Sequence, residues 1–266
     1  MGGGADRATV AVVAMNRDEQ PRQKARRGPV FRVARAAAVA FLSLYVLYVV
    51  GINVFLSTSL FDRYINFDRE MLDVHFRKAW SLRPGRFHAS ELSIRSSDSN
   101  VEWILRLDEV SFDVALTAFA SRRFEVTRAR GRGVSMRARQ KLDAQPVGND
   151  GFAWLPPIDG FPPFSVRPAL PDSLERWDDA KYKLFTVRLE DVVAEDVREV
   201  WIDSGRFEGK ARVAGRFFLK PIRAVEIGPA RVDILEGRVT AGPTVVLARD
   251  VAGTIDLTVD LSLIHI

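Results

Sequence analysis

The apolar run at residues 36–56 constrains this chain more than any other feature. It reads AAAVAFLSLYVLYVVGINVFL, carries no charge, and only Ser43 and Asn53 interrupt it with strongly polar side chains. As a helix, its 21 residues reach about 31 Å, the thickness of a bilayer's hydrocarbon core. Three readings compete. A cleaved signal peptide has an h-region of about 7–15 residues and small residues at its cleavage site. This run is longer, and Ser57-Thr58-Ser59 is a weak site. A buried helix of a soluble core shows a polar stripe, which is missing here. An uncleaved membrane anchor is the favoured reading.

Arg22, Lys24, Arg26, Arg27, Arg32 and Arg35 precede the run, and no acid lies between Gln20 and Phe61. The positive-inside rule then predicts a single-pass protein with a cytoplasmic amino terminus and the bulk of the chain across the membrane. Tyr45 and Tyr48 fall mid-run and make no interfacial belt, whereas Phe61, Tyr64 and Phe67 suit the far interface. Arginine far outnumbers lysine, and alanine and valine abound, as in proteins of high-GC bacteria; the far side is then the periplasm and the membrane the bacterial inner membrane.

The chain has 266 residues and no cysteine, which excludes a disulfide scaffold, a zinc-cysteine site and a thiol nucleophile. The net charge of +5 is more than accounted for by the six basic residues before the run, so the remainder is close to neutral. Basic residues there alternate with apolar ones instead of clustering, which argues against nucleic acid as a partner.

Residues 1–35 read as a disordered basic tail and 36–56 as the anchor. From there period-two alternation dominates, the mark of strands with one buried face. Leu72, Val74 and Phe76 alternate with Asp73, His75 and Arg77; Val101, Trp103, Leu105 and Leu107 with Glu102, Arg106 and Asp108. This first β-rich segment covers 57–144, with turns expected at 84–85, 96–100 and 130–133 and a helical turn near 116–121. Residues 145–179 break the pattern with seven prolines among Phe152, Trp154, Phe161 and Phe164. The aromatics favour an insert packed over the sheet above one resting on a membrane or partner; 174–182 read as a short amphipathic helix. A second β-rich segment, 180–260, follows, with turns expected at 228–229, 236–237 and 242–243. No helix-length segment separates these strands, so they read as an antiparallel meander. The last six residues, LSLIHI, match the translation of a transposon-based sequencing adapter. The natural sequence is therefore expected to run on past Asp260.

Chemistry is sparse. His75 and His88 sit on polar strand positions and read as solvated. Asp178-Asp179 and Glu190-Asp191 are adjacent pairs; neighbours on a strand face opposite ways and cannot flank one substrate. No phosphate-binding loop, GxSxG elbow or HExxH occurs. No enzyme, metal or cofactor is expected.

Three stretches carry a resemblance: SLRPGRFHASELSIR (81–95), RLDEVSFDVALTAFASRRFEVTRARGRGVSMRAR (106–139), and LEDVVAEDVREVWIDSGRFEGKARVAGRFFLKP (189–221) with IGPARVDILEGRVTAG (227–242). Behind an amino-terminal anchor, their order is similar to the front of the AsmA-like proteins, which include the large translocation-and-assembly-module subunits. The proline-aromatic insert has no counterpart in that resemblance. What it implies is a mainly β fold: one transmembrane helix, then an elongated, curled antiparallel sheet forming a groove, with few short helices. It also implies an inner-membrane protein whose periplasmic groove conducts or shields phospholipid in outer-membrane biogenesis. Val213, Phe217, Val232, Ile234, Ile255 and Leu257 would then line that groove. The alternative is a structural or assembly module that binds envelope proteins, with the apolar face as ordinary core.

Overall fold

The computed structural model describes residues 29–66, 68–69, 71–97, 100–121, 123–143, 154–167, 186–220 and 224–260. The expectations for the tail before residue 29, the helix at 174–182, Asp178-Asp179, Phe67, Phe152 and the last six residues lie outside these. The chain divides into two units at Leu44/Tyr45. In the first, α1 (Pro29–Ser57) already begins ahead of the apolar run, and its side chains are exposed from Phe31 to Leu44. Among the described residues, α1 is the one helix long and apolar enough to cross a membrane, with a mean hydropathy of 2.3.

The second unit holds the last turns of α1, the short helix α2 (Ser59–Ile65) and one nine-stranded sheet. Its strands are β1 (Leu72–His75), β2 (Lys78–Arg83), β3 (Arg86–Ser97), β4 (Val101–Val114), β5 (Arg123–Gln140), β6 (Thr186–Ile202), β7 (Gly205–Lys220), β8 (Ala224–Ala241) and β9 (Thr244–Asp260). Short β1 and β2 share one edge of β3; β4 to β9 follow in chain order, and β9 is the other edge among the described strands. The expected helical turn is a 3-10 helix, Leu116–Ser121.

The structure departs from the expected meander at one joint. β5 and β6 run parallel, unlike every other pair. A parallel pair needs a long crossover where a hairpin would be too short, and residues 141–185 supply it. Several expected turns also prove to be interior to strands. Residues 130–133 lie within β5, and 228–229 and 236–237 within β8; the turns at 84–85 and 242–243 are real. The strands are long because they absorb irregular residues instead of ending at them. Glu91, Asp196 and Asp250 sit at φ near +50° and Gly133 at +66°. The short polar side chain of Asp tolerates the left-handed region better than most residues; nothing comparable accounts for Glu91. At Gly133 a Cβ would also stand 2.1 Å from the Asp108 carboxylate.

The register sorts the sheet into two faces. On β7, Phe207, Ala211, Val213 and Phe217 share one face, against Arg206, Glu208, Lys210, Arg212 and Arg216 on the other. The apolar face carries the core. Leu107, Val134, Val197 and Ala211, on four successive strands, form its buried stripe, flanked from β3 to β8 by Leu92, Leu105, Val110, Phe207, Val213 and Ile234. Burying each large aliphatic of that stripe contributes about 1.5–3 kcal/mol. Among the described residues no second layer covers this face. The 3-10 helix touches it at one end, where Phe119 meets Phe124 at 6.0 Å. Yet Val197 is 3% and Ala211 4% exposed. An uncovered flat sheet cannot hide side chains so well. The sheet curls toward its apolar face and stays unclosed.

Candidate functional site

All six residues expected to line a groove fall on the apolar face, and the register brings them together. Val213 stands opposite Val232, Ile234 pairs beside Val251, and Phe217 lies across from Ile227, which in turn faces Leu257. Ile255 stands opposite Ala230. They differ in exposure. Val213 and Ile234 border the buried stripe, while Ile255 and Leu257 on β9 are 47% and 46% exposed. The apolar surface is thus continuous from β3 to β9 and opens progressively toward β9.

The opposite face is built from charges that neutralise one another. Arg86 grips Asp113 at 2.5 and 2.7 Å, Arg130 meets Asp191 at 2.6 Å, and Glu199 takes Arg137 and Arg206, each at 2.9 Å. The Arg86 hydrogen bond holds the Asp113 carboxyl below the usual range, and Arg130 does the same for Asp191. Burial alone would push Glu199 up, but its two arginines outweigh that and its pKa also lies low. Groups with lowered folded pKa values stabilise the fold above the ordinary carboxylate pKa, about 4, and lose that contribution as pH falls through the folded values. The thermal midpoint is therefore expected to hold steady from neutral pH to about 5 and to fall steeply below about 4. Melting followed by circular dichroism across that range checks it; a midpoint unchanged down to pH 3 would remove these pairs from the stability of the sheet.

The described part of the insert, 154–167, packs on this polar face. Leu155 and Ile158 are buried, and Pro156 is fully so. Proline lacks an N–H but keeps its carbonyl, so a proline-rich segment is rich in acceptors and poor in donors. Arginine is the matching donor. Arg139, 1% exposed, donates to Pro156 O at 3.2 Å, Pro163 O at 2.7 Å and Pro162 O, while its remaining N–H groups hold Glu102 at 2.8 and 3.0 Å. Arg137 reaches Pro157 O at 3.1 Å, and Arg95 reaches Asp159 O at 3.1 Å beneath the Phe161 ring. The expected packing over the sheet holds for 154–167, and it leaves the apolar face open.

The other chemical candidates are dispersed. His75 pairs with Asp73 at 2.8 Å, and His88 stacks on Trp80 at 4.0 Å. Burial and then the Arg86 charge push the His88 pKa down. Glu190 and Asp191 each take a separate arginine. Among the described residues no cluster of three metal-ligating side chains occurs.

The structure also shows a site that the sequence reading passed over. In the second unit, α1 lies against edge strand β2. Asn53 accepts from the Ser81 N–H at 3.0 Å and donates to the Ser81 carbonyl at 2.8 Å, so one side-chain amide pairs with the edge as a further strand would. Tyr48 meets Ser81 Oγ at 2.8 Å, and Tyr45 donates to Leu82 O at 2.9 Å. Tyr48, Val49, Ile52, Asn53 and Leu56 make the shielded side of the helix. Their spacing of three and four was the available signal, hidden because most of them are apolar. Phe61 packs in an aromatic cluster with Phe55 and Phe76, at 5.9 and 4.8 Å.

No known protein family, curated protein or solved structure matches the chain.

Proposed function

We propose that this is a non-enzymatic, membrane-anchored protein of the bacterial envelope whose curled sheet conducts or shields lipid acyl chains along its apolar face. The observation that carries this reading is a continuous apolar surface, half-open at β9, that no second layer covers among the described residues. An aliphatic chain needs no directional partner, so Val, Ile, Leu and Phe suffice to hold it. The polar face pairs Arg86, Arg130, Arg137, Arg139 and Arg206 with acids, and the apolar run of α1 supplies an anchor. The resemblance to the AsmA-like proteins agrees with each of these and suggests phospholipid passing between inner and outer membrane as the cargo.

Photo-crosslinking tests it in the full-length protein in native membranes. A photoreactive residue replacing Leu257, on the apolar face, is expected to give phospholipid adducts by mass spectrometry. One replacing Arg249, which the register puts on the polar face beside Glu236, is expected to give none. Absence of adducts at 257, or equal adducts at both positions, would overturn the reading.

One observation favours a second reading, an assembly module that binds envelope proteins. On β9, Val245 and Leu247 are 56% and 80% exposed on the polar face, away from the groove. Apolar residues along an edge strand suit addition of a partner strand. Protein adducts at 247 with none of lipid at 257 would select it.

A further inference from the structure

The docked end of α1 has two sides, and they demand different surroundings. One side holds β2 through Tyr45, Tyr48 and Asn53. The other presents Val46, Leu47, Val50 and Val54, which are 50%, 68%, 55% and 49% exposed. Those four residues form an unbroken apolar stripe over the same turns that touch the sheet. Water is a poor solvent for such a stripe, and lipid is a good one. A strand fastened to one side of a helix stands at the same depth as the lipid on its other side.

The edge itself agrees. An edge strand in water has its free N–H and C=O groups satisfied by solvent, and where a helix covers it the cover serves to block strand addition. In hydrocarbon each such group must find a partner within the protein. Here an otherwise apolar helix spends its one amide and two phenols on the outward groups of Ser81 and Leu82. Ser81 is fully buried, while its neighbours Trp80 and Leu82 expose 44% and 54% of their surface. In the middle of β2 the polar Ser81 is sealed and the apolar Trp80 and Leu82 are turned outward. Lys78 and Arg83, near the ends of β2, are exposed and long enough to reach headgroup phosphates by snorkelling.

We infer that edge strand β2 is embedded in the bilayer leaflet nearer the sheet, so that the sheet begins inside the acyl region and not above it. The inference deepens the lipid reading by naming where cargo joins the groove: laterally, from that leaflet, at β2. Its test does not depend on whether the groove conducts.

These 266 residues have no cysteine, so in a protein with any cysteine elsewhere replaced by serine, single cysteines report one position each. Leu82→Cys, Leu47→Cys and Leu247→Cys, each in the full-length protein, are labelled with an environment-sensitive fluorophore. The proteins are reconstituted into vesicles of phosphatidylcholine with a minority of phosphatidylglycerol. A nitroxide-bearing phosphatidylcholine is the membrane quencher and iodide the aqueous one. The expected result is a loss of fluorescence at 82 as large as that at 47 with the lipid quencher, and little with iodide; 247 should show the opposite. Combining Asn53→Leu with the 82 label is expected to restore iodide quenching there while 47 stays in lipid. A label at 82 that iodide reaches, with 47 quenched by lipid, would overturn the inference and leave the groove reading standing. Lipid quenching at 82 with no lipid adducts at 257 would do the reverse.

Discussion

Replacing Arg139 with Met is expected to be the most damaging single change on the polar face. The guanidinium is almost wholly shielded and makes five hydrogen bonds, two to Glu102 and three to carbonyls of the insert. Methionine fills much of the volume but donates nothing. Glu102, itself 2% exposed, is left as a buried carboxylate without a partner, which costs about 3–5 kcal/mol. The carbonyls of the insert lose their donors at the same time, so 154–167 should come away from the sheet. Urea unfolding of the detergent-solubilised protein measures the first effect, and protease cleavage within the insert the second. The double variant Glu102→Gln with Arg139→Met should recover part of the lost stability, because the stranded charge is gone. An Arg139→Met protein with unchanged stability and an uncleaved insert would show that the network is dispensable.

The largest functional effect is expected from Ile255→Asp. Ile255 is on the apolar face of β9 and half-exposed, so the fold should lose little, on the order of 0.5 kcal/mol. A carboxylate in the path of an acyl chain is a different matter. An acid at the centre of a bilayer costs about 2.5–3.5 kcal/mol, which corresponds to roughly a hundredfold slower passage if the barrier rises by that amount. Transfer of labelled phospholipid between donor and acceptor vesicles, with the variant at wild-type level in the membrane, reads this directly. Normal transfer would take Ile255 out of the path. Val213→Asp is the less clean probe, because Val213 borders the buried stripe and a loss of transfer there would mix with a loss of fold.

The alternation that separates the two faces was legible because its period is set by the pleat alone. Across an irregular residue such as Asp250 the parity inverts, so that Val251 and Leu247 lie on opposite faces; between such residues each side chain's face follows from its parity. That is why all six groove candidates fall together on one face. Strand ends were harder. Gly133 and the turn-like pairs at 228–229 and 236–237 look like hairpin ends in sequence, yet long neighbours on both sides carry the ladder through them. The parallel joint between β5 and β6 depends on how an insert of irregular residues crosses back, which no local pattern encodes. Arg139 looked like any solvated arginine on a polar strand face. Its burial comes from a segment that arrives from elsewhere in the chain. Asn53 read as a break in an apolar run, because the strand it pairs with is 28 residues away.

The two edges of the sheet are unlike. At β2 the hydrogen-bonding positions of Ser81 and Leu82 are taken by side chains of α1, and at β9 the last described strand is bonded on one side only. Such a lattice has a fixed origin and a free margin, so it can be lengthened in one direction alone. Each added strand advances the margin by about 4.8 Å without altering the width or chemistry of the trough behind it. In a protein built this way, reach is a matter of counting, and selection can adjust it strand by strand while the end held by the helix stays as it is.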